Sequence, residues 1–253
     1  MTVIGCSGSF AGPDSASSSY LVQAPHEGRT ASILLDLGSG ALGTLQRHLD
    51  LDTLDAVLVS HLHPDHCVDL LGLYVSRRYR PGGAPDARLP VWGPAATSER
   101  LSLMYHGIDD DGLAGEFDVR VLTDRVPLSI GPFTVTPYAV RHPVQTYGFR
   151  VQAGEAVLAY TGDTDSCAAL GPLLTGAGLA VTDCAFVDGR DDSRGIHLTG
   201  SRAAEAAVAA GGVRRLMLSH IPPWNDPEEC RKQAETVWTG AVEVARPDVA
   251  YDL

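Results

Sequence analysis

The segment Ser60-His61-Leu62-His63-Pro64-Asp65-His66 constrains this chain more than any other stretch. Three imidazoles and a carboxylate follow directly on the apolar run Ala56-Val57-Leu58-Val59, which reads as a strand. Packing alone gives no reason for so dense a polar cluster at a strand end. Neutral imidazole and ionised carboxylate suit borderline divalent metals such as zinc. His61 and His63 can face one ion, and Asp65 and His66 a second.

Three candidates for the missing ligands stand at strand ends further along the chain. His142 follows the strand candidate Phe133–Val140, Asp163 follows Ala156–Thr161, and His220 follows Leu216–Ser219. Alone, each has an ordinary structural reading: His142 as a hydrogen-bonded residue, Asp163 as a turn or helix cap, His220 as strand punctuation. Anchored by the first segment, they complete two sets. His61, His63 and His142 take one ion, Asp65, His66 and His220 the other, and Asp163 bridges them. A carboxylate spans ions roughly 3.5–4 Å apart, and such a pair lowers the pKa of a bound water toward ~7, giving a hydroxide nucleophile. Asp65 is assigned a catalytic role as well as a ligand role.

Composition bounds the context. The 253 residues suffice for one large α/β domain, read as spanning 1–253, with no linker or low-complexity tract. Short strands alternate with helices, which points to sheets covered by helices. Helices are expected over Asp65–Arg80, Ala95–Tyr105, Ser201–Ala210 and Glu228–Thr239, and a mobile loop over Asp109–Gly115. No apolar run is long enough to cross a bilayer, and the opening Met1-Thr2-Val3-Ile4 lacks the basic-then-apolar pattern of a secretory signal. Five scattered cysteines without a CxxC pair suggest neither disulfides nor thiolate metal sites, so a cytoplasmic location is expected. The net charge of -12 disfavours a nucleic-acid polymer as partner but admits a small anionic substrate at a metal-bearing cleft.

His61-Leu62-His63-Pro64-Asp65-His66 resembles the HxHxDH signature of the metallo-β-lactamase superfamily, and His142, Gly162-Asp163-Thr164 and Ser219-His220 resemble its later motifs in the same order. Asp36, in Leu34-Leu35-Asp36-Leu37-Gly38, looks like its first motif. The resemblance implies an αββα sandwich of two mixed sheets flanked by helices, and two divalent ions, zinc first, with manganese or iron also admitted by the donor set. It places Asp36 behind the ligands, orienting them. Gly5-Cys6-Ser7-Gly8-Ser9 and Gly195-Ile196-His197-Leu198-Thr199 resemble the ribonuclease Z-like and cyclic-nucleotide phosphodiesterase-like branch. In that branch a histidine matching His197 acts on the phosphate or leaving group, and an imidazole is chemically suited to be that general acid. The alternative for His197 is a place beside a helix cap. Ser7 and Ser9, with Ser17–Ser19, offer donors to a phosphate, and Trp224 borders the pocket just past His220.

The order of motifs looks closest to actinobacterial-type cyclic-nucleotide phosphodiesterases, so a small phosphodiester such as cyclic AMP or cyclic GMP is the expected substrate. Ribonuclease Z enzymes carry a long basic arm between the motifs matching His142 and Asp163, and the stretch here is too short for one. Hydrolysis of a thioester, lactone or β-lactam is the third reading, and His197 separates it from phosphoester chemistry. A non-catalytic metal scaffold would not need the full ligand set. A homodimer is compatible with all of these readings.

Overall fold

The parallel strands of this chain are apolar on both faces, and that dictates a layered structure. The computed structural model describes residues 1–107 and 113–253. The first half runs β1 (Thr2–Ser7), β2 (Ala16–Ser17), β3 (Ser19–His26), β4 (Arg29–Leu35), α1 (Ala41–Leu45), β5 (Ala56–Leu58), α2 (Pro64–Cys67), α3 (Leu70–Arg78), β6 (Leu89–Gly93), α4 (Thr97–His106) and β7 (Phe117–Val121). The second runs β8 (Leu128–Ile130), β9 (Phe133–Ala139), β10 (Tyr147–Ala153), β11 (Ala156–Tyr160), α5 (Leu170–Leu174), β12 (Leu179–Asp183), α6 (Gly200–Ala209), β13 (Leu216–Ser219), α7 (Pro227–Glu235) and β14 (Val242–Val244).

Each half builds one mixed seven-stranded sheet, in the orders β2-β1-β3-β4-β5-β6-β7 and β14-β13-β12-β11-β10-β9-β8. Alternation along the strands assigns the faces. Tyr20, Ile33, Leu35 and Leu58 join Phe149, Tyr160, Val181 and Met217 in a layer between the sheets. Their neighbours Leu21, Leu34 and Val57 pack outward against Leu70 and Leu73 of α3. Ala159, Ala180 and Leu218 pack outward against Leu173 of α5 and Ala203 and Ala207 of α6. The result is the αββα sandwich expected from the sequence.

Strands β4 to β7 pair in parallel, as do β11 to β14. Residues at the carboxyl ends of parallel strands open onto a common crevice, the usual place for chemistry in such sheets. Asp36 lies just past β4, Ser60 and His61 past β5, and Asp163 past β11. Asp183 closes β12, and His220 follows β13.

Local departures from the sequence reading have physical causes. The helix expected over Asp65–Arg80 is two, α2 and α3, broken around Val68 and Asp69. There the Asp69 amide donates to the carbonyl of Leu37 (3.2 Å), and the Asp69 carboxylate accepts from the amide of Leu42 (2.9 Å), so the chain is drawn onto the β4–α1 connection. The last helix ends at Glu235 rather than Thr239. Of the loop expected at Asp109–Gly115, Asp109–Gly112 lie outside the described residues. All five cysteines are free. No helix among the described residues is long and apolar enough to cross a membrane.

The layer between the sheets is the largest shared element of this architecture. Phe149 is fully buried within it. Phe149→Ala is expected to lower unfolding free energy by about 3–5 kcal/mol, the usual cost of such a cavity. Chemical denaturation measures this, and a loss below about 1 kcal/mol would contradict a tightly packed inner layer.

Candidate metal centre

The crevice gathers its polar groups in overlapping sets, two of them sharing Asp163 and a third joining Asp183, His197 and His220. Ligand-capable atoms of His61, His63, His142 and Asp163 lie within 4.8 Å of one another, and so do those of Asp65, His66, Asp163 and His220. Asp163 belongs to both. These are the seven residues, in the division, that the sequence suggested.

Hydrogen bonds from behind fix which nitrogen each imidazole presents. His66 Nδ1 donates to Asp36 Oδ2 (2.8 Å), and His142 Nδ1 donates to the carbonyl of Ile196 (2.9 Å). The Ser60 hydroxyl donates to Asp36 Oδ2 (2.8 Å), so its oxygen is free to accept from His61 Nδ1 (3.1 Å). Ser18 Oγ meets His220 Nδ1 at 2.9 Å. Four rings therefore turn Nε2 inward, and such partners behind a ligand are what orient it. Asp36 is the hub: it also accepts from the Ser60 amide (2.6 Å) and from Tyr160 Oη (2.7 Å). It is fully buried and held at φ 61°, and His220 at φ 56°. A non-glycine backbone in that region costs of order 1–3 kcal/mol and marks a position constrained by its surroundings.

The inward atoms fit cations. His61 Nε2 lies 3.0 Å from His63 Nδ1, which lies 3.3 Å from His142 Nε2, so ring lone pairs converge. His66 Nε2 is 3.1 Å from Asp163 Oδ1, and His220 Nε2 is 3.2 Å from Asp163 Oδ2. Yet His66 Nε2, His220 Nε2 and Asp163 Oδ1 are buried without a correctly aligned hydrogen-bond partner. Orphaned buried polar atoms are costly, and a divalent ion would satisfy them together.

Electrostatics divides the labour. Burial, reinforced by neighbouring imidazoles, holds His61 and His63 below the ordinary histidine range, and burial does the same for His142. All three are thus neutral lone-pair donors at neutral pH. Burial would also lower His66, but Asp163 and Asp36 overcome it and hold the ring well above its usual range. Burial would raise Asp163, but His220, His66 and His61 keep it well below the usual carboxylate range. The carboxylate shared by the two sets is therefore ionised.

His197 stands beside the clusters, its ring 5.3 Å from that of His142 and 5.4 Å from that of His220. Its Nδ1 donates to Asp183 Oδ2 at 2.9 Å, and Thr164 N anchors the same oxygen. Burial alone would depress His197, but the Asp183 carboxylate lifts it to about 9. The loop that carries it is pinned by Asp165, which accepts from Gly195 N (2.6 Å) and Arg202 Nη1 (2.8 Å) and forms an ion pair with Arg194 Nε (3.0 Å). The cap of α6 is Thr199, two residues on, so His197 also stands beside a helix cap.

The suggested substrate donors are placed differently. The Ser7 hydroxyl donates to the Phe10 carbonyl (2.8 Å), so it shapes a turn rather than presenting itself to a phosphate. Ser9 is exposed at φ 64° within that turn. Ser18 and Ser19 are committed to His220 and to the Asp36 carbonyl. Trp224 is exposed just past His220. Two partners escaped the sequence reading. Asp183 ends an apolar strand as the candidate ligands do, and that is the available signal. Ser18 acts across the fold and leaves no local pattern.

The beta-lactamase superfamily domain matches residues 31–221 of the chain. The chain belongs to that superfamily. An uncharacterized protein of Mycobacterium tuberculosis is 40% identical over 257 residues, covering 100% of this chain and 92% of that protein. A probable metallo-hydrolase of Bacillus subtilis, YhfI, is 31% identical over 253 residues, covering 100% and 99%. The crystal structure of YhfI superposes with a TM-score of 0.86 at 29% identity, over 99% of this chain and 98% of that one. A ribonuclease Z of Mycobacterium bovis is 28% identical over 274 residues, covering 96% and 94%. Superfamily membership and the two ligand sets make this chain a metal-dependent hydrolase.

Ser18→Ala removes the hydroxyl behind His220 without opening a large cavity. Competition with a chromogenic chelator is expected to show affinity for at least one cation reduced about 10-fold or more, the usual worth of such a partner. Unchanged affinity with an intact fold would contradict the orienting role.

Proposed function

We propose that this chain hydrolyses a small phosphodiester, a cyclic nucleotide such as cyclic AMP or cyclic GMP first, using two divalent ions. His61, His63 and His142 hold one ion, Asp65, His66 and His220 hold the other, and Asp163 is shared. Zinc is the first candidate, and imidazole with carboxylate also admits manganese or iron. When bound, such a pair supplies Lewis acidity to phosphoryl oxygens and lowers the pKa of a water toward ~7.

The observation that carries this reading is the Asp183–His197 pair at the edge of the ligand sets. A phosphodiester expels an alkoxide, which needs a proton, whereas a thioester's thiolate does not; a lactone shares the alkoxide, so the pair separates the phosphodiester from the thioester alone. His197 is held protonated through neutrality by Asp183. With Nδ1 engaged by the carboxylate, Nε2 is the ring position that carries a proton to the departing oxygen. Asp65 sits with its Oδ2 3.5 Å from His66 Nε2 and 3.8 Å from His220 Nε2, near enough to orient an attacking water as well as to ligate. Against a polymer substrate, β10 and β11 fill most of the chain between His142 and Asp163 as a tight hairpin, and the net charge is -12.

Turnover of cyclic AMP, cyclic GMP, a bis-aryl phosphate, a precursor transfer RNA and a thioester tests the reading. Rapid transfer-RNA cleavage with inert cyclic nucleotides would overturn it. His197→Ala is expected to keep the metal content and slow phosphodiester turnover by about 10²–10⁴-fold. Unchanged turnover would return His197 to a structural role.

The pH profile gives a second check. An acid must be protonated to act, so turnover falls as pH rises through the His197 pKa. Bound cations draw that limb downward, so the sign of the change on mutation is the test. Asp183→Asn removes the charge that supports the imidazolium and is expected to move the basic limb to lower pH. A limb that stays in place would separate His197 from the rate-limiting proton transfer.

A further inference from the structure

We propose that Phe10 and Trp224 form a stacking surface for the base of the nucleotide, a planar heteroaromatic ring, on the lip of the metal centre. This rests on the phosphodiesterase reading and extends it to substrate selection.

The two rings lie 5.0 Å apart and tilted by 41°, yet remain 45% and 61% exposed. Their exposure is built into firmly held backbone. The Phe10 amide donates to the Gly8 carbonyl (2.7 Å), and the Phe10 carbonyl accepts from Ser7 Oγ. Trp224 sits in a turn closed by Asn225 N to the Pro222 carbonyl (2.9 Å). Asn225 is buried, donating to the Ala185 carbonyl (2.9 Å) and accepting from Arg190 Nη1 (2.8 Å). The two turns are joined by Gly8 N to the Ile221 carbonyl (3.1 Å).

The junction lies against a metal ligand. A Cβ at Gly8 would come within 2.2 Å of the His220 carbonyl oxygen and 3.0 Å of its ring. Trp224 follows His220 by four residues, so its Cα lies within about 14 Å of that of His220 even for an extended chain, and the turn shortens this. The backbone that carries both rings thus adjoins His220.

A second copy of the chain fits this lip poorly. The chain on either side of the two turns carries the exposed carboxylates Asp14, Asp226, Glu228 and Glu229. Two rings with an acidic margin fall short of the roughly 800 Å² per partner of a stable interface. Two acidic surfaces would also repel. Base stacking needs only ring faces, and it accepts any base.

The test uses the metal-loaded protein with Trp224→Ala, Phe10→Ala and Trp224→Phe. The substrates are cyclic AMP and the corresponding base-free cyclic ribose phosphate. For cyclic AMP, Trp224→Ala is expected to raise KM about 5- to 100-fold with little change in kcat, as loss of a stacked base implies. Phe10→Ala acts in the same direction, and Trp224→Phe recovers most of the loss. The effect is confined to the substrate that bears a base. Independently of turnover, a phosphorothioate analogue of cyclic AMP is expected to quench tryptophan emission in the unmutated protein and much less in Trp224→Phe. Equal KM changes for both substrates, or absent quenching, would overturn the proposal. So would a dimer that dissociates on Trp224→Ala with KM unmoved. If the unmutated protein turns over no cyclic nucleotide, the phosphodiesterase reading falls alone. Quenching then still decides whether the rings receive a base.

Discussion

Asp163 is an ionised carboxylate buried among imidazoles, and the crevice is arranged around its needs. A buried charge is tolerated only when paired and hydrogen-bonded. His66 and His220 approach its two oxygens at 3.1 and 3.2 Å, and His61 lies 3.6 Å away. The contacts leave Oδ1 without an aligned donor, as they leave His66 Nε2 and His220 Nε2. The protein alone does not satisfy this cluster, and divalent cations would complete it. Asp36 plays the converse part, satisfied by Ser60, Tyr160 and His66 and facing away from chemistry.

The sandwich makes this arrangement possible because the two sheets contribute from opposite sides. The first sheet delivers Asp36, Ser60, His61 and, through α2, Asp65 and His66. The second delivers Asp163, Asp183 and His220. Side chains far apart in sequence are fixed relative to one another by the apolar layer that both sheets share. Close backbone contacts transmit the fit directly: a Cβ at Gly38 would lie 1.9 Å from the Asp65 carbonyl oxygen. Sites held on rigid elements in this way keep ligand geometry without help from mobile loops.

Much of this is legible in the sequence, and the remainder is hidden for identifiable reasons. Dense histidine and carboxylate after an apolar strand points to the candidate ligands, because chemistry and periodicity coincide at the same positions. Asp183 offers the same strand-end signal, but its partner His197 lies beyond a turn-rich loop, so the pair is visible only in three dimensions. Ser18 reaches His220 across nearly the whole chain. Ser7 has the right chemistry for a phosphate donor, yet a local carbonyl claims its hydroxyl. The break between α2 and α3 comes from tertiary hydrogen bonds to Leu37 and Leu42, which helical periodicity does not record.

The cation stoichiometry of the active protein tests the dinuclear centre most directly. Elemental analysis alongside turnover is expected to find two divalent ions per chain at full activity. Stripping them should abolish turnover, and reloading should restore it. Undiminished hydrolysis by protein carrying no cation would contradict the account.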